Sequence, residues 1–319
     1  RWAVAILAAG QGTRMRSDLP KVLHPLAGRP LLDHVIDLAL EFARPHDVVV
    51  VVGHQADAVT GVVRERGVHE VLQEPQNGTG DALRVALEGL RQRDFDRLVV
   101  LSGDVPLLRR ESLCRLMAEV ESGHAAALLT AVVDEPGSYG RIIRAADASV
   151  AEIVEAADAR AEQLEIREVN AGVYAFDRSH VVDALAVLGS DNAQGEYYLT
   201  DVAAELRRRG LSVAAVRLDD PEEMQGVNTR EDLARAGRVL NHRVVSGLMD
   251  AGVSIRDPET TWVDPRAVVG REVVMEPGVV LRGFCHIGDG ARIGANCVLE
   301  DAAVGAGEIV PPLTYLTGE

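Results

Sequence analysis

From Val263 onward an aliphatic residue returns at every sixth position: Val263, Val269, Met275, Leu281, Ile287, Ile293 and Leu299. Four places after each stands a smaller one: Ala267, Val273, Val279, Cys285, Ala291, Cys297 and Ala303. A solenoid explains such a fixed period and a loose loop does not. The expected structure is a parallel β-helix, each short strand burying one aliphatic and one small side chain per face. The register slips at Val304, Val310 follows, and Pro311-Pro312 is expected to break any further strand. Cys285 and Cys297 fall on the small positions and so read as core residues. Together with Cys114 they show neither metal-ligand spacing nor an even count for bridges, which predicts reduced thiols in a reducing compartment.

Before that period the chain has a different grammar. Residues 1–228 alternate short β-rich runs with amphipathic stretches, the pattern of an α/β domain with a mostly parallel, Rossmann-like sheet. Leu31 to Phe42 and Gln55 to Arg64 read as helices, Asp47 to Gly53 as a strand buried on both faces, and Arg97 to Ser102 as another. Val71-Leu72-Gln73 is a short strand leading through Pro75 to Gly80 into a helix over Asp81 to Leu90. A long helix, Glu231 to Met249, links the two patterns. The expected organisation is 1–228, a linker helix over 229–252, and the coil stack over 253–319.

The opening stretch carries the chemistry. An apolar strand, Val4-Ala5-Ile6-Leu7, runs into Ala8-Ala9-Gly10-Gln11-Gly12-Thr13-Arg14-Met15, and Asp18-Leu19-Pro20-Lys21 completes it. Small residues leave backbone N–H groups bare for close approach by phosphate oxygens. Arg14 adds a planar fork that matches phosphate, and Lys21 a point charge just after a rigid proline. A dinucleotide fingerprint would need a third glycine where Met15 stands and an acid where the chain reads Gly53-His54-Gln55; a Walker loop would need Gly-Lys-Ser/Thr. Neither fits, and the remaining alternative on GxG alone is an ordinary βα turn with an Arg on its rim. In open α/β sheets ligands sit outside the carboxyl ends of the strands, where the turns at Gly10, Gly78 and Asp104 all fall.

Asp104, in Ser102-Gly103-Asp104-Val105-Pro106, offers the hard oxygen that Mg²⁺ takes alongside phosphate, or it simply starts a turn and caps the helix near Arg110. Asn228 is similarly open between ligand and helix cap. Gly140 in Ser138-Tyr139-Gly140-Arg141 permits close backbone approach, and Glu155 and Asn170 offer hydrogen-bonding groups for a sugar, though a Glu in such a setting is commonly a solvated strand residue. Tyr197-Tyr198 could line a pocket or only pack a helix. The charge of -16 and pI near 5.0 argue against nucleic-acid and membrane surfaces, both of which demand a basic face, so any phosphate site is a local cationic pocket. No apolar run reaches the roughly 18 residues of a membrane span and no signal-peptide pattern opens the chain, which predicts a cytoplasmic protein. The absent initiator Met suggests a trimmed start.

The strings LAAGQGTRM, DLPKVLHPLAG, VLQEPQNGTGDAL, LSGDVPLL, YGRI, IVEAADA, EVNAGVY, NAQGEYYLTD and GVNTREDL, in this order, resemble the N-acetylglucosamine-1-phosphate uridylyltransferases that form the first half of the bifunctional GlmU family. The likeness runs from Val4 to about Val304. It implies UTP and N-acetylglucosamine 1-phosphate as substrates, Mg²⁺ on Asp104 and Asn228, and a left-handed coil. It implies that Leu7, Ala8, Ala9 and Gly10 line the phosphates, that Arg14 and Lys21 act on the triphosphate with Asp104 as the third catalytic residue, and that Gln73, Gly78 and Thr79 read uracil. Ser102 and Gly103 join Asp104 as substrate contacts, and Gly140, Glu155 and Asn170 meet the amino sugar and its acetyl group. In that family the coil trimerises, and a homotrimer is the expectation here. The stretch that would carry the acetyltransferase's basic and histidine residues is absent before Glu319, so that activity is not expected. The alternatives are a related sugar nucleotidyltransferase with another base or sugar, and a non-catalytic sensor or scaffold or a hexapeptide acyltransferase.

Overall fold

The computed structural model describes residues 1–318; Glu319, where the sequence reading ends the coil stack, lies outside them. Two units emerge, residues 1–24 with 31–229, and residues 25–30 with 230–319.

The first unit is built on one sheet. Its central path runs Val213–Arg217, Ala126–Val132, Glu168–Asp177, Arg97–Ser102, Trp2–Leu7, Val48–Val52 and His69–Leu72. All neighbouring pairs on that path are parallel except the two that flank Glu168–Asp177. A hairpin of Arg141–Arg144 and Val150–Val154 extends the sheet beside Glu168–Asp177. Because side chains alternate along a strand, the valine run Val48–Val52 serves two cores at once. Val48, Val50 and Val52 pack with Val4, Ile6, Val99 and Leu101, while Val49 and Val51 pack with Ala3, Ala5, Leu98 and Val100. Helices Leu31–Leu40, Ala56–Glu65, Thr79–Gly89 and Arg110–Glu121 then cover the two faces, each at or within two residues of its expected start.

The second unit is a three-sided parallel β-helix preceded by the helix Arg230–Asp250. Strands stack with an 18-residue offset, as in Val268 opposite His286 and Val280 opposite Val298. The buried column is Val263, Val273, Met275, Val279, Leu281, Cys285, Ile287, Ala291, Ile293, Cys297 and Leu299, which places both cysteines in the core as read. Two details of the sequence reading are corrected here. After Leu299 the coil loses one residue, so His286 pairs with Ala303, and Ala302 rather than Ala303 turns inward. Pro311-Pro312 does not end the stack: both sit at a corner between strands, where a missing N–H costs no ladder bond, and Tyr315–Thr317 still pairs with Val298–Glu300.

The helix Arg230–Asp250 is tied into this unit. Val244, Val245 and Leu248 join its core. The buried Asn241 donates to the Thr261 carbonyl at 2.8 Å and accepts from the Val263 N–H at 2.9 Å. The short hairpin within Pro25–Pro30 also belongs to this unit, with Leu26 against Gly237 and Gly28 beside Asp264 and Arg266. The linear boundary near residue 228 does not anticipate that excursion, because six residues in a loop carry too little pattern to show which core they join.

Candidate active site

The first unit holds a cavity of about 1090 Å³ at the carboxyl ends of its parallel strands. Among its walls are Leu7, Ala8, Ala9 and Gly10 after Trp2–Leu7, Gln73, Gly78 and Thr79 after His69–Leu72, and Ser102 and Asp104 at the end of Arg97–Ser102. Lys21 joins them from the turn after Pro20.

Lys21 is placed by a glycine. Gly12 has φ +64°, and a Cβ there would stand 2.5 Å from the Lys21 Cβ, so only glycine lets the loop close over this lysine. The Lys21 ammonium then donates to Asp104 Oδ2 and, at 3.0 Å, to Asn228 Oδ1. Asp104 and Asn228 thus converge on one cation. Asp104 is not spent on capping the helix Arg110–Glu121, whose cap position is Arg109. Its backbone carbonyl accepts the Val227 N–H at 2.9 Å, which brings the Asn228 segment to the cavity's edge. A carboxylate and a carboxamide oxygen around one positive charge are donors of the type a hard divalent cation takes, the rest of its shell being left for water and phosphate. Among the described residues no cluster of three or more His, Cys, Asp or Glu offers a full protein cage.

Gln73 is buried, and its side-chain nitrogen donates to the Gly78 carbonyl and to Asp81 Oδ2, both at 3.0 Å. With both amide hydrogens engaged, the carboxamide can meet a ligand only through its oxygen. Gly78 and Gly80 are held against Tyr197, whose carbonyl accepts the Gly80 N–H at 2.7 Å.

Gly140, Glu155 and Asn170 form a second group that does not line the cavity. Asn170 N–H donates to the Gly140 carbonyl at 2.9 Å, and Asn170 Nδ2 donates to the Tyr174 hydroxyl at 2.6 Å. Glu155 accepts from Thr200 Oγ1 at 3.1 Å. Burial pushes the Glu155 carboxyl above its ordinary range, with the Thr200 bond opposing and Asp201 and Asp158 adding to the rise. Burial likewise raises Asp201, and Asp158 and Glu152 reinforce it. One segment serves both groups: Leu199 N–H donates to Thr79 Oγ1 at 3.1 Å, and the next residue, Thr200, holds Glu155. Within that segment the Tyr197 ring lies under the Arg84 guanidinium and Tyr198 is buried.

Arg14 is apart from both. It sits exposed in the 3-10 turn Thr13–Met15, and Met15 of the same turn fills the core, so its neighbour faces solvent. Gly103 and Asn228 are also absent from the cavity wall. Gly103 is packed behind it, where an added Cβ would meet Ala8 at 3.0 Å. Sequence reasoning missed Asp81 and Thr200, which orient Gln73 and Glu155, and Gln76 and Glu196 in the wall. Asp81, Gln76, Thr200 and Glu196 all lie inside the strings singled out above, but nothing in a string tells which member turns inward.

Residues 4–173 match the model of the MobA-like NTP transferase domain, and residues 261–301 match the bacterial transferase hexapeptide of six repeats. Over 316 residues the chain is 46% identical to the bifunctional protein GlmU of Corynebacterium aurimucosum, covering 97% of this chain and 64% of that one. Its counterpart in Syntrophotalea carbinolica is 46% identical over 317 residues, covering 99% of this chain and 68% of that one. The chain belongs to the bifunctional GlmU family. It spans roughly two thirds of the length of these GlmU relatives, with a nucleotidyltransferase domain followed by the first coils of a left-handed β-helix. A solved Bacillus anthracis protein, assigned as a glucose-1-phosphate thymidylyltransferase, shares the fold at TM-score 0.58 and 22% identity, over 75% of this chain and 95% of that one. Among the described residues no helix is long and apolar enough to cross a membrane.

Proposed function

We propose that this chain joins UTP to N-acetylglucosamine 1-phosphate, giving UDP-N-acetylglucosamine and pyrophosphate, with Mg²⁺ as the required cation. The observation that carries the reading is the convergence of Asp104 and Asn228 on the Lys21 ammonium, beside a cavity wall of small residues that runs from Leu7 to Gly10. The Ala8 N–H is taken by the Val51 carbonyl at 2.9 Å, so the amides of Ala9 and Gly10 face phosphate oxygens, with Ala8 and Leu7 lining the wall, and Lys21 supplies positive charge to the triphosphate. Arg14, free on its exposed turn, closes on the departing pyrophosphate. Gln73 accepts the uracil imide N–H through its one remaining oxygen, with Gly78 and Thr79 beside it, while Ser102 and Gly103 shape the wall at the strand end.

Gly140, Glu155 and Asn170 hold the amino sugar and its acetyl group, Glu155 accepting from a hydroxyl and Asn170 presenting its amide. Asp104 and Asn228 would hold the Mg²⁺, which when bound neutralises charge on the reacting phosphates. A phosphate oxygen of the sugar attacks the α-phosphorus of UTP, the bond from that phosphorus to the bridging oxygen breaks, and its electron pair leaves with pyrophosphate. No protein nucleophile is needed, since such transfers depend on positioning and charge neutralisation. We further propose a cytoplasmic enzyme that assembles as a homotrimer through its coils.

The test is pyrophosphate release from UTP and N-acetylglucosamine 1-phosphate, with and without Mg²⁺. Release should require both sugar phosphate and metal. Equal release with thymidine triphosphate or with glucose 1-phosphate would overturn the base or the sugar assignment.

A further inference from the structure

Asp104 and Asn228 come from distant parts of the chain, yet a shared cation demands that their oxygens be held at one fixed separation. The Lys21 ammonium bridges the two side chains, and the backbone bond from Val227 N–H to the Asp104 carbonyl joins their segments beside the site. A further tie lies a few residues away, after Asp104 on one segment and before Asn228 on the other. Glu223, in the 3-10 turn Pro221–Met224, is 3% exposed, and its carboxylate accepts the Arg109 backbone N–H at 3.0 Å. The Arg109 side chain binds Asp220 at 3.0 Å and stands 4.0 Å from Glu223.

Arg109 closes the loop that begins at Asp104, and Glu223 opens the segment that ends at Asn228. A buried carboxylate is expensive to keep dry unless it is paired, and an apolar side chain would fill the space next to Met224 at less cost. We propose that Glu223 is a positioning residue for the cation site: by clamping the Arg109 N–H it fixes the separation of the Asp104 and Asn228 oxygens. The inference rests on the reading of those two residues as a divalent-cation pair.

Three proteins test it: the full chain, Glu223→Ala and Glu223→Gln. Mn²⁺ binding in the presence of UTP and absence of sugar phosphate is read by the loss of the free-ion electron paramagnetic resonance signal. Folding is checked by circular dichroism. Removing an outer partner of this kind should weaken Mn²⁺ about 10- to 100-fold in Glu223→Ala. Glu223→Gln keeps an acceptor for the Arg109 N–H and should stay within a few-fold of the unaltered chain. A folded Glu223→Ala that binds Mn²⁺ like the unaltered chain makes Glu223 a stability residue and ends the proposal. Should Glu223→Ala fail to fold, Glu223→Asp, whose shorter arm reaches the N–H poorly, must show the weakening or the proposal falls. If the unaltered chain itself binds no Mn²⁺ beyond what UTP binds alone, the cation reading fails first and this one with it.

Discussion

The sheet of the first unit and the coils of the second obey opposite rules. In the coils each residue's environment repeats on the next face, six places on, so Ile287, Ile293 and Leu299 are interchangeable in kind, and the loss of one residue after Leu299 is absorbed by a shift of register. At the strand ends nothing repeats. Lys21, Asp104 and Asn228 come from three separate turns, and each has one partner set that no neighbour can replace. Periodic structure spreads its stability over many equivalent contacts, whereas a site concentrates its function in a few unequal ones.

That contrast can be broken by substitution. The largest effect belongs to Asp104→Ala, which should lower kcat by about 10²- to 10³-fold while the circular dichroism spectrum stays unchanged, and Arg14→Ala should approach it. A near-normal rate in either variant would remove that residue from the chemistry. Glu155→Gln should raise KM for the sugar phosphate about tenfold, the range for a hydrogen bond to a charged group.

The same residue sharpens the comparison through pH. Since burial holds the Glu155 proton on to a higher pH than an ordinary carboxyl, acid should weaken sugar binding early. The acid limb of kcat/KM for the sugar phosphate should therefore lie above the usual 4.5 and change shape in Glu155→Gln. An identical limb in the variant would point to another group, with Asp201 the next to substitute.

In the coils Ile293→Val should cost about 1 kcal/mol, seen as a lower Tm with pyrophosphate release at 25 °C unaltered. A collapse in rate would mean that the periodic unit is not mere support. The smallest effect is Glu205→Gln. Arg208 and Arg209 hold the Glu205 carboxyl at about 2 against an ordinary 4.5, so its stabilisation is present above 4.5 and is lost as pH falls through about 2. This carboxylate is near the surface, and the neutral-pH difference in stability should stay below about 1 kcal/mol and vanish in strong acid.

What the sequence determined by itself were the features written in local order. The six-residue period specifies a coil because burying one aliphatic per face is a local requirement met again at each turn. The valine run Val48–Val52 specifies a strand buried on two faces, and the string from Ala8 to Gln11 specifies a turn of small residues at a strand end, where it lines the cavity, because small residues and strand ends have their consequences within a few bonds. Only the tertiary structure decided that Lys21 would meet both Asp104 and Asn228, that Thr200 would hold Glu155, that Arg14 would face solvent while Met15 took the core, and that the chain after Pro311-Pro312 would still add a strand. Each of those outcomes depends on contacts between residues far apart in the chain or on which of two neighbours turns inward. Neither is encoded by spacing, since it is settled by the packing of the whole unit.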